Sequence, residues 1–317
     1  MNATGYFTHK DCWQHEMGQG HPECPERLDA IEDRLLASGV GDALDRREAP
    51  LAPLGDIELA HDRMMIAAIR GLGDQLADDI QAGGPRYAQI DPDTLMNVNT
   101  WNAVLRASGA VLAATDSVIA GEMENAFCAV RPPGHHACHD KAMGFCIFNN
   151  IAIAARYALE RHGLKRVAVV DFDVHHGNGT EDILGGDERV LMVGFFQHPF
   201  YPYSGTQGQA DNMLNLPVPA YTKGAAVREL IETMWIPRLE AFKPEMIFIS
   251  AGFDAHRDDD LGQMGLVDQD YAWITQRIKD VARRHAQGRI VSSLEGGYNL
   301  LALGRSVEAH IRVLADL

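Results

Sequence analysis

The chain has 317 residues, of which 46% are hydrophobic and 23% charged, a composition typical of a globular protein large enough to bury a sizeable core. Its formal net charge of −16 argues against nucleic-acid binding, which requires a basic face, and is compatible with a cationic substrate. No apolar run approaches the roughly 20 residues that span a bilayer, so we expect no membrane segment.

The N-terminal residues and the cysteines both favour a cytoplasmic protein. Residues 1–13 lack a charged region followed by an apolar stretch, so no secretory signal is expected. The cysteines are odd in number and lack CxxC spacing, which predicts reduced thiols and neither a disulfide framework nor a cysteine-rich zinc site. They are Cys12, Cys24, Cys128, Cys138 and Cys146.

The first third of the chain predicts helices joined by loops. A loop leading into a helix is predicted over residues 22–37, and a helix over residues 56–80. Glycines and prolines in residues 83–85 and 91–93 indicate a loop. A helix of small and apolar residues is predicted over residues 101–120.

The remainder alternates strand with helix. Short apolar, β-branched runs predict buried strands over residues 126–130, 166–173, 189–196, 245–250 and 289–294. Helical patterns occupy residues 148–163, 224–241, 268–286 and 299–315. Continuous apolar strands between helices predict an α/β fold with a parallel sheet covered on both faces. Without an internal repeat or a linker, residues 1–317 are predicted to form a single domain.

Polar clusters follow four of these strands directly. They stand at residues 134–136, 171–178, 252–254 and 295–298. In open α/β sheets, ligands bind beyond the carboxyl ends of the strands. We therefore expect these four segments to meet at one edge of the sheet and to form the functional site.

One combination within these clusters predicts a catalytic metal. Asp173 and His175 stand two residues apart at a strand end, so their side chains point the same way, and Asp254 after another strand is placed to supply a third ligand. Three protein ligands with one open position are typical of a catalytic site. This donor set suits Zn²⁺, but also Fe²⁺, Co²⁺ or Mn²⁺. Alone, the DxH spacing is more often a loop salt bridge, and the adjoining clusters favour the metal.

The other polar residues are suited to acid–base work around such a metal. His135 and His136 are adjacent, and a neutral imidazole is a good general base near pH 7. A histidine base needs an acceptor that holds its tautomer, and Asp171 and Asn178, which flank the metal segment, are candidates for that part. Tyr298 follows two glycines and is a candidate oxyanion donor. The alternative interpretation is solvated loop histidines and a half-buried tyrosine.

Six motifs, in order along nearly the whole chain, resemble those of the histone deacetylase and acetylpolyamine amidohydrolase superfamily. The HHGNG and EGGY spellings are closer to class II and bacterial members. The resemblance implies a three-layer, arginase–deacetylase-type α/β fold with a mostly parallel sheet. The motifs are GHPECPERL (20–28), RPPGHHA (131–137), GFCIFNN (144–150), DFDVHHGNGTEDI (171–183), SAGFDAH (250–256) and LEGGYN (294–299).

The resemblance also implies one Zn²⁺ held by Asp173, His175 and Asp254. His136 matches the general base and His135 the neighbouring, charge-stabilising histidine. Asp171 matches the partner of His135. Asn178 matches the partner of His136, where some members carry aspartate, so His136 is expected to be less basic here. Tyr298 matches the tyrosine that polarises the acyl carbonyl.

Substrate contacts and a second cation follow from the same resemblance. Phe145 and Tyr201 match the aromatic walls of an acyl-lysine tunnel, Gly144 would line it with its carbonyl, and Asp93 matches a rim aspartate, although its local motif is weak. Arg27 either faces an internal channel or braces the N-terminal segment. A structural K⁺ is implied at backbone oxygens near Asp171, Asp173, His175, Gly194 and Phe195.

The expected function is a zinc-dependent amidohydrolase that converts an acetyl-lysine-type or acetylpolyamine-type substrate to acetate and free amine. Its expected partner is a small-molecule or peptide acyl-amine, without nucleic acid or membrane, and homo-oligomer formation is left open. Leu261 stands where polyamine-selective relatives carry glutamate, which favours acyl-lysine. The acidic residues 258–260 beside it favour a polycation, although such a run is more often a solvated turn.

Two other functions remain as alternatives. A binuclear ureohydrolase of the arginase type shares the fold but needs a DxHxD arrangement, and the third position here is Gly177. A non-catalytic binding module would lack a metal ligand, the base or the tyrosine, and this chain has all three.

Overall fold

Buried apolar runs form the strands at the centre of the protein, whose computed structural model describes residues 3–317. The strands, in chain order, are β1 (Thr4–Thr8), β2 (Leu44–Glu48), β3 (Ala88–Asp91), β4 (Thr94–Met96), β5 (Asn125–Cys128), β6 (Val167–Asp171), β7 (Val190–Gln197), β8 (Met213–Val218), β9 (Met246–Ala251) and β10 (Ile290–Leu294). Eight of them form the main sheet in the order β2-β1-β5-β10-β9-β6-β7-β8, in which every neighbouring pair is parallel. Strands β3 and β4 form a separate antiparallel hairpin.

Helices cover both faces of this sheet. They are α1 (Asp11–Gln14), α2 (Glu26–Ser38), α3 (Leu54–Ile57), α4 (Arg63–Gln81), α5 (Thr100–Ile119), α6 (Asn150–Glu160), α7 (Asn178–Leu184), α8 (Gly224–Leu230), α9 (Ile236–Phe242), α10 (Asp268–His285) and α11 (Leu300–Leu314), with a short 3₁₀ helix at Val40–Ala43. Helices α5 and α6 pack on one side, and α2, α10 and α11 form the layer on the other. The predicted three-layer α/β fold with a parallel sheet is confirmed.

The order of the strands sets the position of the site. The four strands that precede the polar clusters, β5, β10, β9 and β6, are consecutive neighbours in the middle of the sheet. Because all are parallel, their carboxyl ends lie at one edge. Residues that are far apart in the chain therefore meet there, as the alternation of strand and cluster predicted.

Several predicted elements differ from the observed ones. The single helix predicted over residues 56–80 is two helices, because the side chain of Asp62 accepts from the backbone N–H groups of Met64 and Met65 and starts α4 afresh. The loop predicted at residues 91–93 is the tip of the β3–β4 hairpin. The helix over 224–241 contains a π-helical turn at Ile231–Trp235.

Three strands of the main sheet were not predicted. Edge strand β2 (LDRRE) is mostly charged and half-exposed, so it lacks the apolar run that identifies a strand. Strands β1 and β8 were also missed, and only their pairing with β5 and β7 identifies them as strands. Across residues 3–317, the structure has no helix that is both long enough and apolar enough to cross a bilayer.

Candidate active site

Two carboxylates and one imidazole meet beyond β6 and β9. Ligand atoms of Asp173, His175 and Asp254 all lie within 4.8 Å of one another. His175 Nδ1 lies 3.0 Å from Asp173 Oδ1 and 3.3 Å from Asp254 Oδ2. Asp173 and Asp254 are fully buried, so two negative charges are concentrated in a site screened from solvent.

Backbone donors orient both carboxylates. The N–H of Gly296, after β10, donates to Asp173 Oδ2 at 2.9 Å, and that of Val174 donates to Asp254 Oδ1 at 2.9 Å. Among residues 3–317, no group donates a hydrogen bond to the buried Asp254 Oδ2, an arrangement that costs free energy unless a cation completes it. This unpaired oxygen, in a set of oxygen and nitrogen donors, fits a divalent metal ion.

Two glycines leave room for this cluster. A Cβ atom on Gly252 would overlap with the carboxylate of Asp173, and one on Gly296 would overlap with the carboxylate of Asp254. Any larger residue would push the carboxylates out of their places. These positions of the SAGFDAH and LEGGYN motifs must therefore be glycine, because a side chain would not fit beside the carboxylates.

The charges within the cluster shift its pKa values. Burial opposes protonation, but the carboxylates of Asp173 and Asp254 beside the ring raise the pKa of His175 to about 10. Burial, together with the charge of Asp173, raises the pKa of Asp254 to about 7. Despite burial, the cationic His135 and His175 hold the pKa of Asp173 well below its usual value. Without a cation, the cluster therefore keeps protons that a metal would displace.

His135 and His136 lie side by side after β5, with their rings tilted by 44° and the ring centroids 4.1 Å apart, and each has its own acceptor. His135 Nδ1 lies 3.0 Å from Asp171 Oδ2, and His136 Nδ1 lies 2.7 Å from Asn178 Oδ1. His135 Nε2 also lies 3.7 Å from Asp173 Oδ2. The structure thus brings together the two histidines and the two partners that were predicted for them.

The surroundings divide the two histidines into one charged and one neutral ring. Burial opposes protonation of His135, but the charges of Asp173 and Asp171 raise its pKa well above the usual value. Burial, together with the charges of His135 and His175, lowers the pKa of His136 well below its usual value. His136 is therefore neutral near pH 7, and Nδ1–H donation to Asn178 leaves Nε2 free as a base.

A carboxylate that the sequence interpretation did not assign supports this pair. Glu295 is fully buried, and its Oε2 accepts from the backbone N–H groups of Gly134 at 2.7 Å and His135 at 3.1 Å. Ser250 Oγ donates to Oε1 at 3.2 Å. Burial raises the pKa of Glu295 to about 7. The residue belongs to the EGGY motif, but nothing local in the sequence indicates its contact with residues 160 positions away.

A cavity of about 240 Å³ leads from the surface to these groups. Phe145 and Tyr201 form aromatic walls: the Phe145 ring packs edge-on to Tyr298 at 5.9 Å, and the Tyr201 ring packs edge-on to His136 at 5.2 Å. Phe200, which sequence reasoning missed, stacks on His175 at 5.4 Å. The full lining is Asp93, His136, Gly144, Phe145, His175, Phe200, Tyr201, Asp260, Leu261 and Tyr298.

The β3–β4 hairpin fixes one wall of the cavity. Asp93 Oδ1 accepts from Gly144 N–H at 3.1 Å, and Thr94 Oγ1 accepts from Phe145 N–H at 3.0 Å. Gly144 and Phe145 both have left-handed backbone conformations, with φ of 60° and 66°. A Cβ on Gly144 would also overlap with the ring of His136. Asp93 thus anchors the wall at the rim, where it was expected.

Tyr298 lies at the inner end of the cavity. Burial raises the pKa of its phenol well above the usual value, so the hydroxyl stays protonated and able to donate. Arg27 is fully buried, lies over the ring with its guanidinium carbon 4.9 Å from the centroid, and donates from Nε to the Gly297 carbonyl at 2.7 Å. These contacts join α2 to the Tyr298 loop, in agreement with the expectation that Arg27 braces the N-terminal segment.

The interpretation of residues 258–260 as a solvated turn is correct for two of the three aspartates and wrong for the middle one. Asp258 and Asp260 are exposed, as in a solvated turn, but Asp259 is only 5% exposed. A buried aspartate cannot be distinguished from its exposed neighbours in a run of three identical residues.

Comparisons with known proteins agree with this site. Residues 21–314 match the family model described as "Histone deacetylase domain". The chain is similar to the "Histone deacetylase-like amidohydrolase" of Pseudomonas aeruginosa, with 37% identity over 88% of this chain and 73% of the relative. It is also similar to the "Type-2 histone deacetylase 2" of Dictyostelium discoideum, with 35% identity over 97% of this chain. There the match spans only 20% of the relative's length.

A solved structure is similar over nearly the whole chain. The crystal structure of the HDA15 HD domain superposes with a TM-score of 0.90 and 31% sequence identity, and the match covers 99% of this chain and 89% of that one. The family resemblance seen in the motifs is confirmed.

Proposed function

The chain belongs to the histone deacetylase family, whose members hydrolyse amides, and from this premise we propose that it is a zinc-dependent deacetylase. It would cleave the acyl amide of an acetyl-lysine-type or acetylpolyamine-type substrate into acetate and a free amine. One observation carries the proposal: His175 of the acidic triad, a neutral His136 and a protonated Tyr298 all face one aromatic-walled cavity.

Asp173, His175 and Asp254 would hold the zinc ion. The cluster, with its unpaired Asp254 oxygen and glycine-made space, fits one ion better than the two of a ureohydrolase. When bound, zinc supplies Lewis-acid activation of water and of the acyl carbonyl. A structural K⁺ would bind backbone oxygens beside the cluster. The register of β6 and β7, which pairs Asp171 with Gly194, supports this site.

The two histidines would move and balance the proton. The free Nε2 of His136 takes the proton of the attacking water, since Nδ1 is committed to Asn178. His135, protonated and held by Asp171, offsets the negative charge that develops. His136 then returns the proton to the amide nitrogen, the C–N bond breaks, and the amine leaves as a neutral molecule. The acyl fragment leaves as acetic acid, which ionises to acetate.

Tyr298 would donate its hydroxyl hydrogen to the oxyanion. Its raised pKa keeps that hydrogen in place across the working pH range. One such donor is worth about 10²–10³-fold in kcat.

The cavity walls would select the substrate. Phe145 and Tyr201 would hold the aliphatic stem of a lysine-like amine, with the Gly144 carbonyl and the Asp93 carboxylate nearby to accept from its amide groups. Leu261 at the mouth offers no contact to a distal cation, which favours acyl-lysine. A second candidate, selectivity for acetylpolyamines, is supported by the exposed carboxylate of Asp260 at the same mouth.

Residues 1–317 would act as one catalytic domain, since eight strands from both halves of the chain form one continuous sheet. The five free cysteines support a reducing compartment, and we keep the cytoplasm as the proposed location. The net charge of −16 supports the absence of a nucleic-acid partner.

A kcat/KM panel at fixed salt, combined with metal analysis, tests the proposal. The panel compares an acetyl-lysine peptide, longer acyl-lysine peptides, acetylputrescine and N8-acetylspermidine. We expect zinc-dependent turnover with the acetyl-lysine peptide preferred. A polyamine preference of ~100-fold, about 2.7 kcal/mol of transition-state discrimination, would replace the first candidate by the second. No turnover of any substrate by the zinc-loaded protein would refute the deacetylase function.

A further inference from the structure

Asp259 joins two segments that meet only at the active site. Its Oδ2 accepts from the backbone N–H groups of Tyr298 at 2.6 Å and Asn299 at 2.9 Å. Its Oδ1 accepts from the backbone N–H of Leu261 at 3.0 Å. One buried carboxylate therefore connects the loop after β9, which carries Asp254 and Leu261, to the loop after β10, which carries Tyr298.

The peptide group between Gly297 and Tyr298 is held at both ends. Its N–H donates to Asp259, and its carbonyl accepts from Arg27 Nε at 2.7 Å. Two strong, charge-assisted hydrogen bonds on opposite sides fix the plane of a peptide group, and with it the direction in which the Tyr298 side chain leaves the backbone. This matters here because Gly297, with φ of 122°, does not itself restrict the backbone.

The position of Asn299 strengthens the same arrangement. Asn299 begins α11, where its side chain accepts from Ala302 N–H at 3.0 Å, and its own N–H is held by Asp259. Tyr298 thus lies between a rigid helix start and a doubly held peptide. Asp258 and Asp260 make no such contacts with this loop, so the property belongs to the middle residue of the run.

We propose that Asp259 is a positioning residue for the reaction, whose carboxylate aims the hydroxyl of Tyr298 at the acyl oxygen. The proposal rests on the proposed function, because it requires Tyr298 to act as the oxyanion donor. Asp259 touches neither substrate nor metal ligand side chains in this arrangement, so it would act through Tyr298.

The test measures kcat, KM and metal content for Asp259→Ala, Asp259→Asn, Tyr298→Phe and the two double variants. A misplaced catalytic group can cost about 100-fold, so we expect Asp259→Ala to lower kcat by ~10–100-fold with KM and zinc retained. Asp259→Asn should lose less, because its single amide oxygen can still accept from Tyr298 and Asn299 while Leu261 goes without an acceptor. Asp258→Asn, an exposed neighbour, is the matched control and should keep wild-type kcat.

The double variants separate positioning from general structure. If Asp259 acts through the Tyr298 hydroxyl, adding Asp259→Ala to Tyr298→Phe should lower kcat by less than about threefold further. An undiminished loss in the Tyr298→Phe background would overturn the positioning role but leave the proposed function intact. A normal kcat in Tyr298→Phe itself would refute the oxyanion role and with it the premise.

Folding of the variants is checked by thermal melting. If Asp259→Ala does not fold, Asp259→Asn alone, with and without Tyr298→Phe, gives the same comparison. If neither variant folds, Asp259 is required for the fold and the proposal is wrong.

Discussion

Replacing Asn178 by aspartate adds a negative charge beside the proposed base, and we expect it to move the acid limb of activity to higher pH. Asn178 Oδ1 lies 2.7 Å from His136 Nδ1, so the substituted carboxylate would contact the imidazole directly. In the wild type, the pKa of His136 is well below its usual value because of burial and the charges of His135 and His175. His136 therefore stays neutral, and competent as a base, down to acidic pH.

The distance between residue 178 and the His136 ring sets the size of the expected pKa shift. A unit charge about 4 Å from the imidazolium, at an effective dielectric constant of ~20, stabilises it by about 4 kcal/mol. At about 1.4 kcal/mol per unit, this corresponds to ~3 pKa units. In the wild type, Asn178 Nδ2 donates to the His136 carbonyl at 3.4 Å. In the variant, the second carboxylate oxygen would take the place of that nitrogen and would face the carbonyl oxygen. This repulsion opposes the ionised form, so we expect a shift of about 1–2 units.

The assay is kcat/KM from pH 4.5 to 9, whose limbs report groups of the free enzyme. On the acid side, Asn178→Asp should lose activity at a higher pH than the wild type, because its His136 takes up a proton more readily, and it should keep wild-type activity near pH 8. Asn178→Ala, which removes the acceptor without adding charge, should not move the limb upwards. Metal content is measured at each pH, because metal loss would also produce an acid limb. An unshifted limb in Asn178→Asp, with metal retained, would show that His136 is not the base.

Three further predictions concern the metal ligands, Glu295 and His310. Asp173→Ala and His175→Ala should each lose zinc and activity together by metal analysis, and full occupancy with full activity in either variant contradicts the assignment. Wild-type zinc affinity should fall as the pH drops below about 10, where His175 takes up a proton, and more steeply below about 7, where Asp254 does. Glu295→Ala leaves two buried backbone N–H groups without an acceptor, which costs about 1–3 kcal/mol each. It should therefore unfold at lower urea concentration than Glu295→Gln, whose amide oxygen still accepts, and equal midpoints would contradict this. His310, whose pKa burial lowers to about 3, is neutral in the folded protein. Its contribution to stability should therefore be lost as pH falls from ~6.5 towards 3, by about 1.4 kcal/mol per unit, and urea midpoints of His310→Gln should depend less steeply on pH than those of the wild type.

The sequence alone predicted the residues of the candidate site and determined on which side of the sheet they lie. Short apolar runs identify β5, β6, β9 and β10 locally, and polar residues follow each of them at once. Parallel strands place their carboxyl ends together, so the cluster of Asp173, His136, Asp254 and Tyr298 at one edge follows from the pattern. Strand type and side-chain direction depend on neighbours in the chain, which is why periodicity reveals them.

The tertiary structure alone decided how these residues are held. Glu295 reaches Gly134, 161 residues away, and Asp259 reaches Tyr298, 39 residues away, from a run in which three aspartates look identical. Which of the three is buried depends on the packing of two loops from neighbouring strands. The same holds for β2, a charged edge strand that exists because β1 pairs with it. Contacts between distant segments leave no local period in the sequence, so the supports of the active site, unlike its chemistry, appear only once the chain is folded.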